Sequence, residues 1–464
     1  MELGTFTQLI LSTLILLIGS LWVFVSFYNL VPLVNFFLQR QFGSGSTSIY
    51  LDLAESREDT LDTFPTIDVL LPAYQEGSVI EQSIQSIRAA DYPQEKVTVN
   101  ILLEPGDTDT RTSLEALRDQ YTFTETIVPE NYPGNPNKPR ALNYGFEQTD
   151  GDIVGIIDAE DIVSPDLFQQ VSTAIMATDA DYVQGILDMI NEGDGWRNLV
   201  FRGEYSYRYR VQLPAYYHAN YPIALGGTTN FFDREVLNKI SQIRTSRYPS
   251  PWTQAEQVWL LVQGFRGMRP WDPDNVTEDF ELGLLLWDCD FKCQLLNVVT
   301  HEESPLTLGR WIKQRTRWQK GKSQTLFQYL QYPPQTLHAK FHMIGQSFMA
   351  HYGPINFMGV SATLGIIYVL GFQPNTFISY VLILGLVFAI YSIIIQCYSY
   401  WRATDTGGGT KIVRSGESLV VLPAYWILHW VADVRALRQL YGGDYSWEKT
   451  KHHGRNAKVL RDDD

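Results

Sequence analysis

Apolar and polar positions are sharply segregated along the chain. Residues 8–30 (Gln8 to Leu30) are almost wholly apolar and uncharged, close to the ~20 residues that a membrane-spanning helix needs. The run is too long for a cleaved signal peptide, and no basic segment precedes it. Glu2 lies before it and Arg40 after it, so the positive-inside rule predicts an outside N-terminus and a cytoplasmic region beyond. Residues 41–64 are rich in Ser, Gly, Asp and Glu and read as a linker.

From Thr66 the pattern changes to short apolar runs alternating with helical periodicity. It predicts strands at Ile67–Pro72, Val97–Leu103, Thr124–Val128 and Ile153–Ile157, and helices at Gly77–Ala90, Thr108–Tyr121 and Pro139–Gln148. Such alternation implies an α/β domain with a parallel sheet and helices on both faces. Ligands bind beyond the carboxyl ends of such strands. Glu76, Glu104 and Asp158-Ala159-Glu160-Asp161 fall there. Ser164-Pro165-Asp166 reads as a helix start. The Tyr-rich stretch 201–222 reads first as a packed amphipathic helix and second as an acceptor groove. Leu225-Gly226-Gly227-Thr228-Thr229-Asn230 is a turn that lets backbone approach a ligand. Val276-Thr277-Glu278-Asp279 opens a helix to about Trp287, with acids suited to its dipole.

After Trp311 the chain is basic and amphipathic up to about Tyr332, where Pro333-Pro334 stops it. His338–Ala350 is a second amphipathic stretch fit for the membrane surface. Pro354–Gly371 and Phe377–Tyr400 are uncharged and long enough to span, with the turn between them outside. Arg402, Lys411 and Arg414 place the next loop inside. Leu419–Val434 is interrupted by Pro423 and His429 and is bounded by Asp433. A basic tail follows it, so the segment reads as re-entrant or interfacial, a third crossing being the alternative. The expected layout is a transmembrane helix (1–40), a linker (41–64), the α/β domain (65–305), interface helices (306–352), transmembrane or re-entrant segments (353–440) and a cytoplasmic tail (441–464).

A length of 464 residues fits two or three domain-sized units. A formal net charge of -15 argues against a general nucleic-acid binder. Cys289, Cys293 and Cys397 make neither a disulfide framework nor a zinc site.

The strand-end carboxylates Asp158, Glu160 and Asp161 are the hard oxygen ligands that Mg2+ or Mn2+ takes, with positions left for phosphate oxygens. Such a metal neutralises a diphosphate leaving group, and Lys138, Arg315 and Arg317 can add charge to it. A further acid is needed to deprotonate an attacking hydroxyl, and Asp279 is the candidate. In Lys313-Gln314-Arg315-Thr316-Arg317-Trp318-Gln319-Lys320, guanidinium forks suit phosphate and an indole face suits a sugar ring. The competing reading of that stretch is an ordinary basic, aromatic membrane-surface helix.

Taken in order, these motifs make the chain resemble membrane-bound family 2 glycosyltransferases with a GT-A catalytic domain, the group of cellulose, hyaluronan and β-glucan synthases. Leu71-Pro72-Ala73-Tyr74-Gln75-Glu76 resembles the family's Pro-x-Tyr-Asn-Glu nucleotide site. Glu104 stands where an Asp usually contacts uridine. Lys138 with Ala141-Leu142-Asn143 resembles the basic motif before the metal site. Asp158-Ala159-Glu160 is similar to Asp-x-Asp, with Asp161 leaving the second metal ligand open. Thr277-Glu278-Asp279 resembles the Thr-Glu-Asp that carries the general base. Gln314, Arg317 and Trp318 match Gln-x-x-Arg-Trp, which implies diphosphate contact by Arg and an acceptor platform at Trp. Gly226, Gly227 and Thr228 resemble the acceptor-side turn, and Trp447–His452 a tail signature.

The resemblance implies an inverting, Mg2+- or Mn2+-dependent transfer from a UDP-sugar, with glucose the expected sugar. It implies an enzyme of the plasma membrane whose catalytic domain is cytoplasmic. A growing β-linked polysaccharide is the expected acceptor. Single-sugar transfer to a membrane lipid is the alternative, and a non-catalytic carbohydrate-binding scaffold is a third reading. Homo-oligomers or accessory subunits stay open.

Overall fold

Eight strands, β1 (Ile67–Ala73), β2 (Val97–Leu103), β3 (Thr124–Ile127), β4 (Ile153–Ile156), β5 (Ile162–Val163), β6 (Tyr182–Met189), β7 (Asn230–Asp233) and β8 (Cys293–Glu302), join in the order β3-β2-β1-β4-β7-β6-β8-β5. They come from a computed structural model that describes residues 5–42, 64–189, 196–249, 267–305, 307–349, 351–403 and 408–444. The expected linker lies almost wholly outside these residues, and the Trp447–His452 signature lies outside them altogether.

The first four strands pair in parallel, as the strand–helix alternation predicts. The second half of the sheet departs from that expectation and is mixed. β7 runs antiparallel to both β4 and β6, and β5 antiparallel to β8, while β6 and β8 are parallel. The departure has a local cause. β7 is entered from the Gly226–Thr229 turn rather than from a crossover helix, so it can run backwards. Its first residue, Asn230, then pairs with Ile156 at the carboxyl end of β4. That direction carries the turn to the ligand-binding edge of the sheet.

The helices are α1 (Thr5–Phe42), α2 (Ile80–Arg88), α3 (Thr108–Leu117), α4 (Lys138–Glu147), α5 (Leu167–Ala177), α6 (Trp196–Tyr207), α7 (Leu213–His218), α8 (Arg234–Arg247), α9 (Glu278–Asp288), α10 (Leu308–Gln331), α11 (Leu337–Met349), α12 (Tyr352–Leu364), α13 (Thr376–Ala403) and α14 (Gly408–Tyr441). A π-helical turn, Arg208–Gln212, joins α6 to α7. Successive strand residues point to opposite faces. Val69, Leu71, Val99 and Ile101 therefore pack with Ile84, Leu114 and Phe168 on one side. Leu70, Leu102 and Val154 pack with Leu142, Trp271 and Leu285 on the other. Each such side chain fully buried contributes roughly 1.5–3 kcal/mol.

α9 is pinned to α8 by Arg244, whose two terminal nitrogens donate to Glu281 at 2.9 and 2.6 Å. Gly283 lets α9 approach the segment before the Gly226-Gly227 turn, since a Cβ there would lie 2.5 Å from the Ile223 carbonyl oxygen and 2.8 Å from the Leu225 nitrogen. Alanine is the better helix former by about 1 kcal/mol, yet Gly283→Ala is expected to cost about 1–3 kcal/mol through this overlap with backbone. Thermal unfolding of the purified variant checks it; a rise in melting temperature would contradict it.

Among the described residues, four helical stretches are long and apolar enough to cross a membrane: Phe6–Leu38, Tyr352–Val369, Thr376–Ile395 and Val420–Tyr441. The first three meet around Trp22, which is fully buried. Its indole N–H donates to Asn356 Oδ1 at 2.8 Å. Glycines face it on both neighbours, where a Cβ would stand 2.7 Å (Gly359) and 2.6 Å (Gly385) from its ring. The fourth stretch differs in placement. α14 continues through Pro423 as one helix of 34 residues, and its far end returns to the α/β domain. Lys320 Nζ donates to the Asp444 carbonyl at 3.2 Å. Leu437, Leu440 and Tyr441 share a cleft with Arg244, Tyr248 and Asp272.

Candidate active site

The carboxyl ends of β1, β2 and β4 open into one cavity of about 830 Å3. At the β1 end, Gln75 adopts a left-handed φ of 56°. Its N–H donates to Asp107 Oδ2 at 2.8 Å, and the Asp107 carboxylate also caps α3 through Thr110. This lock sets exposed Tyr74 and buried Glu76 on the cavity wall. At the β2 end, Glu104 is gripped by Arg140, whose Nη1 reaches both carboxylate oxygens at 2.7 and 2.8 Å. Both residues line the cavity, so Arg140 fixes the Glu104 carboxylate on its wall.

After β4, Asp158 and Glu160 face the cavity, but Asp161 does not. Asp161 is fully buried. Its Oδ2 accepts from the Thr228 hydroxyl at 2.5 Å and from the Asp158 N–H at 3.2 Å. Asp161 and Thr228 thus tie the strand-end loop to the turn before β7. Thr228 serves that loop and does not line the cavity. Glu302, at the end of β8, joins Asp158 and Glu160 in the wall. Burial, followed by the nearby charges of Glu160 and Asp158, holds Glu302 well above the usual carboxylate range.

Lys138 Nζ donates to Asp158 Oδ1 at 2.5 Å and to the Gly227 carbonyl at 2.9 Å. Burial opposes its charge, but Asp158, Glu278 and Asp279 hold its pKa above the ordinary value. Gly227 has φ 81°, a conformation that suits glycine. A Cβ on it would lie 3.2 Å from Asp279 Oδ2 and 3.9 Å from Lys138 Nζ. The sequence-predicted Lys138, Asp158, Gly227 and Asp279, from four separate segments, are therefore brought together. Glu278 is buried, and burial moves its carboxyl up to about 7 against the pull of Lys138. Thr277 is buried too, with its N–H and hydroxyl both donating to Asn275 Oδ1. These two residues frame the start of α9, and Asp279 is the one with partial exposure to the cavity.

α10 forms the opposite wall with Gln314, Arg315, Arg317, Trp318, Gln319 and Lys322. Gln314 Oε1 is buried without a partner among the described residues. Arg317 stands close enough to Glu278 and Glu302 to lower both. Arg315, unassigned in the sequence between diphosphate and lipid headgroups, takes neither place. It donates to both oxygens of Glu204 at 2.7 Å, and its guanidinium lies 4.4 Å over the Trp318 ring. Burial raises Glu204, but Arg315, the nearby His429 and the Tyr425 hydroxyl bring it down to about 2. Trp318 leans on Phe201 and Tyr205. Part of the Tyr-rich stretch thus lines the cavity, through Tyr205, Tyr207 and Tyr209, while Tyr216 packs away from it.

The profile of the family described as glycosyltransferase like family 2 matches residues 65–321, from β1 past Trp318. This chain belongs to that family. Among relatives of the chain, the N-acetylglucosaminyltransferase of Azorhizobium caulinodans is 22% identical over 275 residues, 59% of this chain and 64% of that one. The beta-monoglucosyldiacylglycerol synthase of Synechocystis sp. is 25% identical over 267 residues, 57% of this chain and 50% of that one. The chain thus spans about half to two thirds of the length of these relatives. The mannosyltransferase PcManGT from Pyrobaculum calidifontis, solved with GDP-Man and Mn2+, shares the fold with a TM-score of 0.53 at 16% identity, covering 90% of this chain and 99% of that one. The chain carries the GT-A-like arrangement of mixed sheet and flanking helices.

Glu204, Arg208, Glu302 and Lys322 are among the cavity residues that escape the sequence reading. Only Lys322 had an available signal. It lies four residues after Trp318, on the same helical face.

Proposed function

We propose that the chain is an inverting glycosyltransferase that moves a sugar from a UDP-sugar, glucose first among candidates, to the hydroxyl of an acceptor lodged in the membrane. One observation carries this reading. The cavity continues from the nucleotide end past Asp279 and Trp318 to Met349, Tyr352, Gly353, Cys397, Leu422 and Trp426, between the apolar helices.

Asp279 takes the proton of the acceptor hydroxyl as its oxygen attacks the anomeric carbon and the bond to the diphosphate breaks. Lys138 and Arg317 meet the charge growing on the leaving group. Glu104, held by Arg140, and Tyr74 bound the nucleotide.

A divalent metal fits the donor set. Three carboxylates, Asp158, Glu160 and Glu302, crowd one wall, with a buried unpartnered oxygen on Asp161 behind them. Asp158 and Glu160 would hold the ion, and it would supply charge neutralisation for the departing diphosphate. Among the described residues no three His, Cys, Asp or Glu groups stand ready around a metal position. Two carboxylates plus substrate phosphate and water are the usual coordination of Mg2+. Chelation is expected to abolish UDP release, with Mn2+ or Mg2+ restoring it; release unaffected by a chelator would remove the metal from the scheme. Running GDP-mannose beside UDP-glucose, since PcManGT was solved with GDP-Man, tests the nucleotide.

The geometry favours a lipid acceptor. The cavity reaches α1 at Asn29, whereas Trp22 seals the bundle about 10 Å further along that helix. The far end of α14 lies beside the α/β domain, which supports three crossings with an outside N-terminus and a cytoplasmic catalytic domain. Three are few to enclose a polymer. The monoglucosyldiacylglycerol product in the name of the Synechocystis relative points the same way. Polysaccharide elongation, the first expectation from the sequence, is supported by the aromatic shelf of Trp318, Phe201 and Tyr205. It is supported too by the name of a Staphylococcus aureus relative, poly-beta-1,6-N-acetyl-D-glucosamine synthase. Radiolabel from UDP-glucose should appear in an organic-soluble lipid carrying one sugar. Label in a long ethanol-insoluble product would reverse the preference.

A further inference from the structure

Beyond Asp279, on the acceptor side of the cavity, two cations stand without a carboxylate partner. Arg208, in the π-helical turn after α6, donates to the Ala224 and Leu225 carbonyls at 3.0 and 3.2 Å. These bonds anchor Nη2 just before the Gly226-Gly227 turn. Lys322 sits one turn beyond Trp318 on α10, with its ammonium 5.6 Å from the centre of the Phe280 ring, next to the proposed base. Both line the cavity. Among the described residues neither lies within salt-bridge distance of an acid. The nearest acid on the shelf side, Glu204, is already taken by Arg315.

Two cations lining one cavity need a reason. Burial, then the guanidinium groups of Arg208 and Arg315, push Lys322 down to about 7, against the weaker pull of Glu204 and Asp279. An arrangement that makes a lysine hard to charge is unfavourable when empty and becomes favourable when an anion enters. A neutral sugar or diacylglycerol hydroxyl offers no such charge. The proposed donor diphosphate has its own cations in Lys138 and Arg317.

We propose that the acceptor is anionic, and that its phosphate group seats between Arg208 and Lys322 beside the hydroxyl that Asp279 deprotonates. This rests on the transferase reading of the same cavity. The phosphate could belong to a lipid headgroup or to a soluble glycerol phosphate. The apolar recess behind Trp318 makes the lipid the first candidate.

Native mass spectrometry of the full-length protein, saturated with UDP in detergent, tests the seat without turnover. Three probes are used: dioleoylphosphatidylglycerol, dioleoylglycerol and sn-glycerol 1-phosphate. Wild type should retain phosphatidylglycerol about tenfold better than dioleoylglycerol, the worth of one charge-assisted hydrogen bond. Lys322→Gln should lose that preference and Lys322→Arg keep it, with both variants melting like wild type. Displacement of the lipid by glycerol phosphate at similar concentration would support the anion seat and assign it to a soluble acceptor. Equal retention of both lipids by wild type, or undiminished phosphatidylglycerol on Lys322→Gln, overturns the proposal. A protein that binds phosphatidylglycerol as described but releases UDP from no donor would instead count against the transfer reading.

Discussion

Asp279→Asn is expected to lower kcat by about a thousandfold, inside the ~10²–10⁴ that a positioned general base contributes, with UDP binding unchanged. The side chain lies at the start of α9, beside Gly227 and Lys138 and open to the cavity. Its neighbours Thr277 and Glu278 also line the cavity but are more deeply buried, and Thr277 is engaged with Asn275. Asparagine keeps the shape and removes the proton acceptor, so the loss should fall on the chemical step. Metal-dependent UDP release with acceptor present gives kcat, and calorimetric titration of UDP gives binding. A variant that turns over like wild type would remove Asp279 from the role of base.

Glu204→Ala is expected to destabilise the protein by about 2–3 kcal/mol, short of the ~3–5 kcal/mol of a fully buried pair, because Glu204 keeps about a third of its side chain exposed. The larger consequence is local. Arg315 is almost wholly buried under Trp318, Trp311 and Phe201. Without Glu204 its charge has the Tyr425 hydroxyl as its remaining hydrogen-bond partner among the described residues. The guanidinium should then swing toward the cavity water and leave the indole unsupported. KM for the acceptor should rise at least as steeply as kcat falls, while the KM for the donor stays near its wild-type value. Glu204→Gln, which keeps one acceptor oxygen, should recover part of the loss. Thermal unfolding combined with acceptor-saturation kinetics measures both effects. An acceptor KM unmoved by either variant would show that the pair is not what holds the shelf.

The parallel half of the sheet is legible because each of its strands is followed by a segment of helical period, and the geometry of the crossover leaves one sensible pairing. β7 is not legible in the same way. Asn230-Phe231-Phe232-Asp233 is too short to show a period, and its direction is set by pairing with β4 and β6. α14 misleads for another reason. Pro423 and His429 read as interruptions, yet the helix runs through both, packed against α10 on one side and α12 on the other. Among site residues, Lys138, Asp158, Asp279 and Trp318 sit in short motifs whose chemistry is local. Glu204 and Glu302 carry no such signal. Glu204 acquires its meaning from Arg315, 111 positions later, and Glu302 from a strand that reaches the site only once the sheet has closed. Asp161, left open in the sequence as a second metal ligand, braces its own loop through Thr228 and the Asp158 N–H, contacts that no local motif announces.

The hydroxyl of Tyr425 donates to Glu204 at 2.7 Å and belongs to α14, the helix that returns from the apolar bundle. The aromatic shelf at Trp318, the proposed sugar platform, is therefore buttressed by a residue more than a hundred positions beyond it. A soluble fragment trimmed to the α/β domain and α10 would keep every motif residue and lose the buttress. Such a fragment is expected to lose the support of Glu204 and Arg315 that Tyr425 gives. Attempts to reconstitute catalysis should therefore begin from the whole membrane chain.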